Sequence, residues 1–117
     1  MSHDPKTLQA ILEAAAPPDM ELRFRAMFGG IMAYAGEKPF ASLSDVGLAF
    51  KLETATDHAA LMAEPGAKAL QYDASQPISK TYVVVPEGML KDRAALRGWV
   101  VKAVAGLKAK APERKKT

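Results

Sequence analysis

Leu22-Arg23-Phe24-Arg25-Ala26-Met27-Phe28, followed by Gly29-Gly30 and Ile31-Met32-Ala33-Tyr34, is where the chain changes period. Successive side chains of an extended strand point to opposite faces. Leu22, Phe24, Ala26 and Phe28 therefore share one side, and Arg23, Arg25 and Met27 the other. An apolar side backed by a charged one is the pattern of a sheet with one face on a core and one in water. The paired glycines interrupt the alternation. They predict a bulge or sharp turn at which Gly29 or Gly30 takes a positive φ or packs where a Cβ has no room.

Working outward, Ile31 to Tyr34 predicts a second strand, with Ala35-Gly36-Glu37-Lys38-Pro39 as a hairpin loop. Phe40 to Leu43 predicts a third strand and Ser44-Asp45-Val46-Gly47 a turn. Leu48-Ala49-Phe50-Lys51-Leu52 predicts a fourth, with Leu48, Phe50 and Leu52 on one face. Strands joined by such short connections form an antiparallel meander. Farther on, Ala69 to Tyr72 fits a short strand, and Thr81-Tyr82-Val83-Val84-Val85 is the most β-prone run before Pro86 ends it.

Helical patterns frame these strands. Asp4 and Pro5 form a cap and first turn, Leu8, Ile11, Leu12 and Ala15 make one apolar stripe, and Pro17-Pro18 ends it. A short middle helix has Thr54 and Asp57 at capping-box spacing, Leu61 and Met62 as anchors and Pro65-Gly66 as its stop. The closing helix starts after Asp92 and carries Leu96, Trp99, Val100, Ala103, Val104 and Leu107 on one side. The expected fold is α+β: an antiparallel sheet of about four meandering strands plus one or two more, with N-terminal and C-terminal helices packed on it.

Composition narrows what such a domain can do. The 117 residues hold no Cys, which excludes disulfides, thiolate nucleophiles and thiolate zinc sites. The net charge is +3, but residues 108–117 place Lys108, Lys110, Arg114, Lys115 and Lys116 against Glu113 alone. The other residues hold eleven basic and twelve acidic side chains, so the high isoelectric point belongs to the tail. The reading is one domain over 1–107 and a disordered basic tail over 108–117. Met1-Ser2-His3-Asp4-Pro5 lacks a basic region followed by an apolar run, and no window reaches the roughly 20 apolar residues of a membrane span. Both features predict a cytoplasmic protein with no membrane partner.

No catalytic or metal-binding constellation emerges. His58 neighbours Asp57, but adjacent residues on a helix do not face each other. Asp45, Glu53, Asp57 and Glu64 stand at turns and caps, and no calcium-loop or His-Glu-x-x-His spacing is present. Gly29-Gly30 leads into a strand rather than into the helix a phosphate loop requires. No catalytic residue, metal site or cofactor is expected.

Arg25-Ala26-Met27-Phe28-Gly29-Gly30-Ile31-Met32-Ala33-Tyr34 resembles the signature of the TfoX/Sxy family, N-terminal domain: a basic residue, then Met-Phe-Gly-Gly, then a short strand ending in Tyr. Pro39-Phe40-Ala41-Ser42-Leu43, Gly47-Leu48-Ala49-Phe50-Lys51-Leu52 and Tyr82-Val83-Val84-Val85-Pro86-Glu87 are similar to later segments of that family, in order and at matching spacing. Ala26 stands where the family often has a basic residue, and Val83-Val84-Val85 where it is often more polar. The resemblance implies an antiparallel sheet with helices packed on it and a bacterial setting in competence and transcriptional regulation. It also implies the stand-alone form, without the helical C-terminal domain of the competence regulators.

The expected function is a small non-enzymatic regulatory or adaptor domain acting on an unknown protein partner. Its candidate surface is the strand face of Arg23, Arg25, Met27 and Lys51 beside Gly29 and Gly30, a single basic patch if the strands are neighbours. The alternative is a nucleic-acid-associated protein whose Lys108, Lys110, Arg114, Lys115 and Lys116 make weak, non-specific phosphate contacts. A homodimer is compatible with either.

Overall fold

Proline at the first helical position gives up no hydrogen bond, because that N–H has no intrahelical acceptor. In a computed structural model of the chain, describing residues 3–27, 30–71, 75 and 77–116 but not the side chains of Met27 and 108–116, Pro5 opens α1 (Pro5–Ala15) in this way. The Asp4 backbone carbonyl accepts from the Leu8 N–H, while its carboxylate accepts from the Thr7 hydroxyl rather than from a helix N–H. Leu8, Leu12 and Ala15 are buried, and the chain turns extended at Ala16 because Pro17 disfavours a helical residue before it.

Four strands follow as consecutive hairpins: β1 (Leu22–Met27), β2 (Gly30–Ala35), β3 (Lys38–Ser44) and β4 (Gly47–Lys51). Met27 pairs with Gly30, so β1 and β2 are joined through Phe28 and Gly29, which lie outside the described residues. Ala35 pairs with Lys38, and the turn between them is shorter than the expected loop. Gly36, at φ 65°, supplies the left-handed residue that a two-residue hairpin requires.

After β4 come α2 (Ala55–Met62), β5 (Lys68–Ala69), β6 (Tyr82–Val84), a 3₁₀ helix over Glu87–Lys91 and α3 (Arg93–Lys116). The Thr54 hydroxyl accepts from the Asp57 N–H, and the Asp92 carboxylate accepts from the Ala95 N–H, so two of the three expected side-chain caps form and that of Asp4 does not. Leu61 anchors α2 in the core as expected; Met62 does not and stands exposed. The backbone of α3 runs on to Lys116, and the expectation of a disordered tail over 108–117 falls on residues whose side chains lie outside the description.

The sheet is antiparallel throughout, in the order β1-β2-β3-β4-β6-β5. One face meets α1 and α3 over a core of Leu8, Leu12, Leu43, Leu48, Phe50, Val83, Leu96, Trp99 and Val100, among others. A register shift opposite Ala33 and Tyr34 makes room for Phe40, which joins Ala41 in the core and stacks on Phe50 with ring centroids 6.5 Å apart. Every position of the predicted α3 stripe, Leu96, Trp99, Val100, Ala103, Val104 and Leu107, is buried. Arg97 ties the two helices together by donating from Nε to the Ala15 carbonyl at 2.9 Å.

Candidate functional site

The face of the sheet away from the helices is only partly covered. Toward its β5 end Ala49, Leu70 and Val84 form a small second cluster, with Tyr82 and Val46 packed against it. The Tyr82 hydroxyl reaches across the sheet to donate to the Met32 sulfur at 3.9 Å. This end of the outer face is therefore built of packed side chains.

The β1 end is different. Antiparallel register sets Arg23 opposite Tyr34 and Arg25 opposite Met32, which puts both guanidinium groups on the outer face. Both arginines are exposed, and neither has a hydrogen bond or ion pair among the described residues. Leu22 and Phe24, alternating with them, are half-buried against the edge of the core. Beside the arginines lies a cavity of about 360 Å³ lined by Arg23, Phe24, Arg25, Tyr34, Gly36 and Glu37.

Lys51 does not join this surface. Consecutive hairpins keep β2 and β3 between β1 and β4, about 14 Å at ordinary strand spacing. Lys51 is also occupied, its Nζ lying 3.2 Å from a Glu53 carboxylate oxygen. β1 and β4 are not neighbours, so the single basic patch expected on that condition is two separate features: two arginines at the sheet edge with no ion-pair partner among the described residues, and a paired lysine farther in. The side chain of Met27 and all of Gly29 lie outside the described residues, as do the side chains of Lys108, Lys110, Arg114, Lys115 and Lys116.

Gly30 serves the architecture of this edge. It has no positive φ; a Cβ there would instead sit 2.7 Å from the Leu43 carbonyl oxygen and 3.4 Å from Ser44 Cβ. The glycine thus lets the start of β2 close against the end of β3. Of the two expected reasons for a glycine, close approach holds at Gly30.

Tyr34, Gly36 and Glu37 were not foreseen as part of the arginine surface. The signal was available: once Met27 pairs with Gly30, the antiparallel register brings Tyr34 to Arg23 without further information. Among the described residues, no three His, Asp or Glu side chains stand close enough to hold a metal ion. Likewise, none of the described helices is long and apolar enough to cross a membrane.

The family model of the TfoX N-terminal domain matches residues 18–107. No curated protein and no solved structure matches the chain. The matched span begins just before β1, takes in every strand of the sheet, and ends at Leu107, the last buried position of the α3 stripe. With the whole sheet and its closing helix inside one family model, the chain belongs to the TfoX N-terminal domain family.

Proposed function

We propose that this chain is a small non-enzymatic regulatory or adaptor domain that works by protein contact, with the β1 edge as its working surface. One observation carries the reading: Arg23 and Arg25 stand two residues apart on the end strand of the sheet, exposed and without a partner among the described residues. Guanidinium groups are enriched at protein interfaces because their planar forks match carboxylates and stack on flat groups. Lys51, by contrast, is neutralised within the chain. Regulation of competence and of transcription in a bacterial cytoplasm is the setting that the resemblance to TfoX-type regulators implies, and the proposal adopts it.

Affinity capture of the full-length chain from its native cell, with and without nuclease, tests this reading. A protein partner that survives nuclease treatment is the expected result. Retention of nucleic acid alone, lost on nuclease treatment or on raising salt, would assign the work to phosphate contacts by the basic C-terminal residues. Recovery of neither, or of the chain bound only to itself, would also contradict the proposal.

A further inference from the structure

β1 forms one end of the sheet and pairs with β2 alone. Alternate residues of an end strand turn their N–H and C=O groups away from the only neighbour, toward open space. Natural sheets usually blunt such an edge with a bulge, a proline or a very short strand. The opposite end is blunted in this way, since β5 is only the two residues Lys68–Ala69. β1 is six residues long, Leu22–Met27, and contains no proline and no register shift in its pairing with β2. Among the described residues, its guards are the two arginines.

We infer that the β1 edge takes up an extended acidic segment of another protein as a seventh strand, with acidic side chains at alternate positions facing Arg23 and Arg25. This rests on the protein-contact reading above and specifies its mode. Added strands gain affinity from main-chain hydrogen bonds and specificity from side chains at every second position. The arginines are two residues apart on one face, so the complementary charges belong at positions i and i+2 of the incoming strand. On the other face Leu22 and Phe24 are half-buried beside the core, so the intervening positions are apolar. The cavity of about 360 Å³ beside Tyr34 leaves room for a side chain seated on Arg23. Glu37 in its wall repels a further acidic group toward the turn, which fixes where the acidic positions end.

A second copy of this chain fits the edge poorly in the registers that overlap β1 most fully. Two-fold antiparallel pairing of β1 with itself sets residues of the same face opposite each other. Centred on Phe24, it places Arg23 of one copy against Arg25 of the other; centred on either arginine, it sets that arginine against itself. Like charges directly opposite are destabilising.

The probes are short acetylated, amidated peptides: a Glu-Val repeat, a Lys-Val repeat, and the Glu-Val repeat with alternate backbone nitrogens methylated. Each is titrated into the isotope-labelled full chain, with amide shifts and hydrogen exchange followed along Leu22–Met27. The Glu-Val repeat is expected to bind and slow exchange in β1, and the Lys-Val repeat not to bind. Methylation should abolish binding, and the exposed Arg23→Ala/Arg25→Ala pair should weaken it by about tenfold or more. Equal binding of the methylated repeat would reduce the effect to charge without strand pairing and overturn the inference. So would equal binding of the Lys-Val repeat, no change at β1, or self-association through β1. If the peptides fail but a captured protein is lost on reversing both arginines, the contact reading stands and strand addition falls. If reversal loses nothing either, both fall.

Discussion

Trp99→Ala is expected to destabilise the domain by about 3–5 kcal/mol, the range for removing a buried indole from a core. Trp99 is only 8% exposed and sits between Leu96 and Ala103 on the stripe by which α3 covers the sheet. Lys102 closes its outer side, with Nζ 4.5 Å from the ring centroid, so the ring is held between an apolar floor and a cation. A loss of this size is a large part of the stability of a domain this small. Chemical denaturation of the two proteins gives the number. As the only Trp, it also reports its own surroundings: native emission should be blue-shifted and move to the water-exposed maximum on unfolding. A loss under about 1 kcal/mol would mean that α3 does not close the core in this way.

Gly30→Val should cost roughly 1–3 kcal/mol, the usual range for overpacking. A Cβ 2.7 Å from the Leu43 carbonyl oxygen meets backbone rather than a movable side chain end, so β2 and β3 must separate locally. Gly30→Ala should already show part of the loss, because the first added carbon makes the clash. Gly98 provides an internal control. It lies in α3 with nothing within 4 Å of an added Cβ, so Gly98→Ala should gain about 0.5–1 kcal/mol from reduced chain entropy. Thermal melts of the three variants check this pattern. If Gly30→Val melts with the parent, the glycine is not required by the contact between β2 and β3.

Much of the framework was legible because local periodicity determines it. The 3.6-residue stripe of α3 and the cap at Asp92 follow from spacing alone, as do the alternating faces of β1. Turn lengths were less legible. Pro39 reads as a strand breaker, yet it lies within β3, opposite Tyr34, where the register shift relieves the demand for a regular hydrogen-bond ladder. The 3₁₀ helix over Glu87–Lys91 carries no periodic signal long enough to read. The placement of β6 between β4 and β5 depends on contacts distant in sequence, which local patterning does not encode.

The candidate site was half legible. Arg23 and Arg25 were identified from alternation, which places them on the face opposite the apolar residues. Their separation from Lys51 depends on strand order, and the pairing of Lys51 with Glu53 joins residues on either side of the β4 end. The glycine pair shows a different limit. Positive φ and close approach both select glycine, so only the position of the Leu43 carbonyl decides between them at Gly30.

α1 and α3 hold one face of the sheet, and the proposed function assigns partner contact to the β1 edge. Capture from the native cell with the full-length Arg23→Glu/Arg25→Glu chain tests that division most directly. Both side chains are exposed and have no partner among the described residues, so the variant should fold and melt within about 2 °C of the parent. The predicted result is loss of the captured protein partner from a chain that is otherwise intact. Full retention of that partner by the folded variant would contradict the assignment of the working surface to β1.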